Sequence, residues 1–154
     1  MGLIYQVAQG AAAADFNTTG VVLRVPACES LKVVEYGFLS VATDPGATGV
    51  LALQYLDAAG NTVTLDSFTC PTAATVNDLV SQRLDALLDQ SGDKFVVSVS
   101  GTPGTITADT DGIVAVQLNV TTEFGAGVTA CPYLKFALCG VPKTRTGVTL
   151  VTSV

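Results

Sequence analysis

The sequence lacks the side chains on which many catalytic and metal sites depend. It has no histidine and no tryptophan, and only 13% of its residues are charged. Histidine is the usual general base and the commonest metal ligand, so its absence excludes Ser-His-Asp and Cys-His catalytic arrangements. No P-loop and no G-x-G-x-x-G motif is present. We therefore predict that the protein is not an enzyme and that it has no catalytic residues, no metal site and no cofactor.

Basic residues are also scarce. The chain has 7 of them against 13 acidic residues, which gives a net charge of −6. Binding to phosphate backbones or to anionic lipids requires clustered lysine and arginine, and here these residues are scattered along the sequence. We therefore predict no nucleic-acid partner and no membrane partner.

Long apolar runs are absent as well. No stretch reaches the roughly 18 uninterrupted apolar residues of a membrane-spanning helix. The N-terminal stretch has no basic residue before Arg24, and Gln6 and Gln9 interrupt its apolar run. A secretory signal needs a basic start and a continuous apolar region, so none is predicted.

The cysteines do not follow a metal-binding pattern, because no two of them form a C-x-x-C pair. Structural zinc sites usually show such paired spacing. Without a secretion signal, free and buried thiols are the expected state. The four cysteines are Cys28, Cys70, Cys131 and Cys139.

Short apolar stretches between turn residues are abundant. The 154 residues fit one domain, and 49% of them are hydrophobic. In "LALQYLDAAGNTVTL" (residues 51–65), apolar and polar residues alternate on both sides of a turn at Gly60 and Asn61. This period of two predicts a β-hairpin with one face on a core. Similar stretches recur along the chain, about eight to ten in all, with the spacing of a sandwich or jelly roll.

One segment departs from the strand pattern. Between Thr75 and Gly92 the apolar residues follow helical spacing, Thr75 and Asp78 resemble a capping box, and Gly92 suits a helix end. The predicted fold is therefore all-β, a jelly-roll-like antiparallel β-sandwich with one short helix. We expect residues 1–19 to form an N-terminal arm or strand and residues 20–154 to form a single sandwich domain.

Several acidic and aromatic residues could carry chemistry, but each has a structural interpretation. Aspartates at turns and strand edges accept hydrogen bonds from nearby backbone N–H groups. The stretch "ADTDG" at residues 108–112 lacks the further ligands of a calcium-binding loop. Tyr36 and Phe38 share one strand face and could stack on a sugar, although packing in a core is the better interpretation. The candidate carboxylates are Asp44, Asp57, Asp66, Asp109 and Asp111.

Two long stretches together resemble the small jelly-roll accessory proteins of tailed-bacteriophage heads, which are called decoration or cement proteins. They are "GVVLRVPACESLKVVEYGFLSVATDPGATGVLALQYLDAAGNTVTL" and "GDKFVVSVSGTPGTITADTDGIVAVQLNV". The likeness is one of layout. A "VVEYGFLSV" strand leads through a Gly/Ala-rich turn to an apolar strand, and "GDKFVVSVSG" precedes a Val-rich strand. It covers residues 20–120.

The resemblance implies a virion structural protein that is made in the host cytoplasm and binds the outside of the capsid shell of the phage head. It implies a homotrimer that contacts the major capsid protein and stabilises the shell. Apolar burial and edge-strand pairing would supply the binding energy without a cofactor. Because both ends of the chain are apolar, the residues expected to contact neighbouring subunits or the capsid are Leu3, Ile4, Tyr5, Val7, Val148, Leu150 and Val151.

Two other functions stay open at this point. A tail-tube or head–tail joining protein also combines a sandwich with one helix, and it would form rings. A carbohydrate-binding or surface-binding β-sandwich module would depend on aromatic side chains such as Tyr36 or Tyr133.

Overall fold

The structure is a computed structural model. It describes the backbone of residues 5–26, 28–57, 59–89, 95–99, 102–106 and 113–142, and the side chains of residues 5–26, 31–57, 59–84 and 113–137. These residues form strands and turns, and no helix occurs among them. The prediction of an all-β protein is confirmed.

The described residues form eleven strands that account for most of their length. In chain order the strands are β1 Tyr5–Gln9, β2 Ala14–Asp15, β3 Gly20–Pro26, β4 Cys28–Ala42, β5 Val50–Asp57, β6 Thr62–Thr69, β7 Leu79–Asp89, β8 Phe95–Val99, β9 Thr102–Ile106, β10 Ile113–Thr122 and β11 Thr129–Pro142.

The strands form two antiparallel sheets in a jelly-roll order. Sheet A runs β1-β11-β4-β7-β8-β9, with β2 also paired to β11, and sheet B runs β3-β10-β5-β6. If β2 and the β8–β9 hairpin are set aside, each sheet has four strands, and the chain crosses repeatedly from one sheet to the other. This is the two-sheet, eight-stranded arrangement of a jelly roll, so the predicted architecture is confirmed.

The hairpin predicted from residues 51–65 is present as β5 and β6. Leu51, Leu53 and Tyr55 of β5 are buried, as the alternation predicts. The prediction of a single covered face is wrong, because Ala52 and Gln54 on the opposite face of β5 are buried too and Val63 of β6 is 43% exposed. Gly60 in the turn has a φ of 92°, a conformation that side chains with a Cβ rarely adopt. The register shifts once between the two strands, opposite the bond between Leu53 and Gln54. Sequence alternation does not reveal this bulge.

The core lies between the two sheets and is built around aromatic residues. Phe16, Phe38 and Phe124 contact one another edge to face, with ring centroids 5.1–5.2 Å apart. Tyr36 and Phe38 are both fully buried, so their assignment to the core is confirmed. The same burial removes Tyr36 as a platform for a sugar.

The predicted helix over residues 75–92 is wrong for the part that the structure describes. Thr75 and Asp78 do form the expected local hydrogen bond, with the Thr75 N–H donating to the Asp78 carboxylate over 2.7 Å. However, Asn77 has a φ of 72°, which turns the chain into strand β7 rather than into a helix.

Strand β7 pairs with β4 through one register shift and carries apolar residues on both of its faces. Val33 lies opposite Ala86 and Glu35 opposite Arg83, so three steps on β7 match two steps on β4. Val80 is buried and Leu84 packs against the core, whereas Leu79 is 63% exposed on the opposite face, so apolar residues on both faces of one strand imitate the spacing of a helix. Pairing with β4 along nine residue pairs then decides the conformation.

Candidate interaction surface

The outer face of sheet A is the surface formed by side chains of β1, β11, β4 and β7 that point away from the core. On β4, inward residues such as Phe38 are buried, whereas Leu39 and Val41 on the other side are exposed. Of the six exposed large hydrophobic residues in the described part of the chain, five lie on this sheet. They are Tyr5, Val7, Leu39, Val41 and Leu79.

Three of these residues form an apolar group at one end of the outer face. Leu39 lies opposite Leu79 of β7 and opposite Cys131 of β11, and Val41 follows Leu39 on the same side of β4. Leu79 is 63% exposed and Leu39 is 42% exposed. Large apolar side chains that are grouped on a surface mark sites of interaction more often than scattered ones do.

Charged side chains occupy the middle of the outer face. Glu35 lies opposite Lys135 on one side and opposite Arg83 on the other. Val7 of β1 lies opposite Lys135. These four residues form a row across the sheet that begins with an apolar residue on the edge strand and continues with charges of alternating sign. Opposite charges on neighbouring strands stabilise a sheet by about 0.2–1 kcal/mol per pair.

The side chain of Tyr133 lies beside the one described glycine of β4, which has no side chain of its own. It lies opposite Gly37, and its hydroxyl lies near Ser81, Glu35 and Arg83. Burial raises the pKa of this hydroxyl, and the charge of Glu35 raises it further, against the opposing effects of Ser81 and Arg83. Because its hydroxyl oxygen is buried, Tyr133 contributes mainly packing to the outer face.

A shallow groove crosses the outer face beside this row. Its volume is about 380 Å³, and it is open along its length. Its lining combines an aromatic ring, two basic side chains and two aliphatic ones: Tyr5, Lys32, Val34, Arg83 and Leu84.

Strand β1 forms the edge of sheet A next to this groove. All five of its residues pair with β11 without a register shift, from Tyr5 opposite Ala137 to Gln9 opposite Tyr133. Ala8 packs against the core, so Tyr5 and Val7 point to the outer face, where they are 52% and 56% exposed. The strand contains no charge, no proline and no glycine.

The other edge strands carry features that discourage pairing with a further strand. Strand β9 has Pro103 and Gly104 within its five residues. Strand β3 contains Arg24, ends at Pro26 and has a register shift against β10. Strand β6 contains Asp66 and has a register shift against β5. Charges, prolines and bulges are the usual means by which natural sheets protect an edge, so β1 is the unprotected one among these four.

The sequence-predicted interface residues divide into two groups. Tyr5 and Val7 are exposed on the edge strand, next to the apolar and charged residues described above. The other predicted positions lie outside the described residues: Leu3, Ile4, Val148, Leu150 and Val151.

Sequence reasoning missed Leu39, Val41 and Leu79 as surface residues. The alternation of Leu39 and Val41 with Phe38 and Ser40 was a usable signal, because only one side of an outer strand can face the core. For Leu79 no signal was available once its segment had been interpreted as a helix, since the helical pattern placed it on the buried side.

Sheet B carries a row of polar side chains that the sequence did not predict. Arg24, Gln117, Gln54 and Thr64 lie opposite one another on all four strands. Arg24 Nε donates to Gln117 Oε1 over 3.1 Å, Gln117 Nε2 donates to Gln54 Oε1 over 3.0 Å, and Gln54 Nε2 donates to Thr64 Oγ1 over 3.2 Å. Asn119 Nδ2 also donates to Gln54 Oε1.

Arginine sets the direction of this row. A guanidinium group can only donate, so the oxygen of Gln117 must face Arg24 and its NH₂ group must face Gln54. The same argument then orients Gln54 towards Thr64. Gln117 and Gln54 are both buried, and a slip of one residue between strands would leave their polar atoms without partners. The row therefore fixes the register of sheet B.

The candidate carboxylates within the described residues have structural partners. Asp44 accepts a hydrogen bond from the Val76 N–H over 2.8 Å, and Asp66 accepts one from the Tyr36 hydroxyl over 2.9 Å. Asp57 holds the β5–β6 turn by accepting bonds from Asn61. Burial acts to raise the pKa of Asp57, but these bonds and others from backbone N–H groups hold it below its usual range.

No group of three or more Cys, Asp or Glu side chains that could hold a metal ion occurs in the portion of the chain that the structure describes. Asp109 and Asp111, and the "ADTDG" stretch that contains them, lie outside that portion.

The side chains of two cysteines are described, and both are free thiols. Cys70 is buried, and burial raises the pKa of its thiol. Cys131 is partly exposed on the outer face of sheet A. The expectation of free thiols is confirmed for these two.

No protein-family model matches the sequence, and no curated protein is significantly similar to it. Within the described residues, no helix has the length and hydrophobicity needed to cross a membrane.

Proposed function

We propose that the protein is a virion structural protein of the decoration, or cement, type, which binds the outside of a capsid shell and stabilises it. The observation that supports this most is the outer face of sheet A. It carries five exposed large hydrophobic residues, and two of them lie on an edge strand that has no protection against pairing. Two features from the sequence add support: the low charge content and the resemblance to phage head accessory proteins.

The proposed binding needs only surface contact. Burial of Leu39, Val41 and Leu79 against the major capsid protein would contribute roughly 25 cal/mol for each Å² of apolar surface removed from water. A protein that binds only the assembled shell adds its binding free energy to the stability of that shell. We further propose that the protein self-associates. The resemblance to phage head accessory proteins implies a homotrimer.

Shell binding is tested by co-sedimentation of the purified protein with capsids whose major capsid protein is the proposed partner. Leu39→Lys and Leu79→Lys place charges in the apolar group and should reduce binding at least tenfold. The matched control is Val63→Lys, because Val63 is 43% exposed against 42% for Leu39 but lies on sheet B. If the control also loses binding, or if the two outer-face variants keep it, the assignment of the outer face is contradicted.

The mass of the protein in solution, measured by light scattering, separates the remaining assemblies. A trimer that co-sediments with capsids supports the proposal. A ring of six or more chains that does not bind capsids would contradict the proposal and support a tail-tube or head–tail joining function. A monomer indifferent to capsids would contradict both.

A further inference from the structure

Among the strands that the structure describes, none pairs with the free side of β1, so sheet A can be extended at this edge. Its five residues follow β11 in unbroken register, so the N–H and C=O groups on its free side are regularly spaced for a further strand. The turn that follows consists of Gly10 and three exposed alanines, Ala11–Ala13, which leave the approach unobstructed by large side chains. An edge of this kind pairs with another strand when one is presented.

We propose that the occupant of this edge is β1 of a second copy of the chain, paired antiparallel about a two-fold axis. Within this protein the other edges that the structure describes are protected by prolines, charges or bulges. An unprotected edge that meets an identical unprotected edge gives an isologous contact, in which the same residues serve on both sides. The pairing joins two copies of sheet A into one continuous sheet.

The sequence of β1 is compatible with antiparallel pairing to β1 of a second copy. The register that pairs all five residues is centred on Val7, which meets Val7 of the second copy. Tyr5 then meets Gln9 and Gln6 meets Ala8, so residues of the outer face meet residues of the outer face. No charge is brought opposite a like charge, and the tyrosine ring covers the aliphatic part of a glutamine.

Repulsion between charged residues of the two outer faces does not oppose the two-fold contact. Lys135 lies one strand in from the edge in each copy, so two such lysines are separated by three strand spacings, about 14 Å. At physiological salt this exceeds the screening length of about 8 Å, and repulsion between the two lysines is weak.

This inference rests on the self-association in the proposed function. It adds a two-fold contact to the three-fold contacts of the proposed trimer. Pairing of two β1 edges from different three-fold clusters would link those clusters. Shell binding through Leu39 and Leu79 does not involve this contact, so the two proposals can fail separately.

Disulfide cross-linking tests the register. In a variant whose four native cysteines are replaced by alanine and whose folding has been checked, Val7→Cys places two thiols opposite each other, with Cα atoms about 4.5–5.5 Å apart. We expect rapid formation of a covalent dimer under mild oxidation. The matched control is Tyr5→Cys, whose copies lie about 14 Å apart along the strands and should stay monomeric. Adding Gln9→Cys to Tyr5→Cys should restore cross-linking.

Charge variants test the equilibrium contact by sedimentation velocity over a range of concentrations. Val7→Lys and Val7→Glu alone should each raise the dissociation constant of the two-fold contact about tenfold or more, and an equimolar mixture should restore association. The melting temperature of each variant is measured first, because residue 7 also neighbours Lys135 of its own chain.

Equal cross-linking of Val7→Cys and Tyr5→Cys would overturn the proposed register. Unchanged association of both charge variants, or the absence of any concentration-dependent association in the unmodified protein, would overturn the β1 contact itself. In either case, retained capsid binding that Leu39→Lys abolishes would leave the proposed function intact.

Discussion

The hydroxyl of Tyr36 donates a hydrogen bond to Asp66 over 2.9 Å and so joins the centre of sheet A to the edge strand of sheet B. Tyr36 lies on β4 and is fully buried, whereas Asp66 lies on β6 and is partly exposed. The bond crosses the core between two strands that do not pair with each other. It therefore holds the two layers of the jelly roll together where β6 has only one neighbouring strand.

Replacement of Tyr36 by phenylalanine should lower the free energy of unfolding by about 1–2 kcal/mol. The change keeps the ring and removes only the donor to a carboxylate, which water can then partly solvate. Chemical denaturation at neutral pH measures the difference. The control is Tyr55→Phe, which removes a hydroxyl that has no hydrogen-bond partner among the described residues. A loss as large as that of Tyr36→Phe would show that the bond to Asp66 is not the cause.

The stability of the protein should fall above about pH 10, the ordinary value for a tyrosine phenol. Burial raises the pKa of Tyr36, and the hydrogen bond to Asp66 and its charge raise it further, while burial also raises the pKa of Tyr55 and Tyr133. A raised pKa means that the folded state keeps a proton that the unfolded state loses. The contribution to stability is therefore complete below the unfolded value and is lost as the pH rises through the folded one.

Unfolding free energies measured at intervals between about pH 8 and pH 11 test this dependence. The Tyr36→Phe variant should show a shallower decline than the unmodified protein, because it lacks the most strongly shifted group. Parallel declines in the two proteins would contradict the assignment of Tyr36.

The polar row on sheet B should behave as a coupled unit. Gln117→Leu leaves Arg24 Nε and Gln54 Oε1 with fewer partners inside a buried region and should cost about 2 kcal/mol. Gln54→Leu should cost a similar amount. The double variant should cost less than the sum by about 1 kcal/mol, because it removes both partners of their shared bond. A double-mutant cycle from denaturation curves gives this coupling, and strict additivity would contradict it.

Gly37 should not accept even the smallest side chain. A Cβ at this position would collide with the backbone carbonyl oxygen of Val80 on β7, which pairing with β4 holds in place. Gly37→Ala should therefore lower the unfolding free energy by about 3 kcal/mol. Leu39→Ala, two residues along on the same exposed side, should cost less than about 1 kcal/mol. Thermal unfolding of the two variants compares them directly.

The sequence by itself determined the fold class, the β5–β6 hairpin and the placement of Tyr36 and Phe38 in the core. These follow from local information, because alternation of apolar residues and turn chemistry are properties of neighbours in the chain. It also excluded histidine-dependent catalysis, since composition does not depend on folding. Of the candidate surface, it predicted Tyr5 and Val7, which stand out as apolar residues in a short strand near the start of the chain.

Only the tertiary structure decided what depends on pairing between distant segments. It made Leu79–Asp89 a strand, since nine residue pairs with β4 outweigh a helical spacing that arises from apolar residues on both faces of the strand. It also turned Asp66 towards Tyr36, which lies 30 residues away. It left β1 as the unprotected edge strand, because whether a strand has one neighbour or two is set by the order of strands in the sheet. The sequence of a single strand does not contain that order.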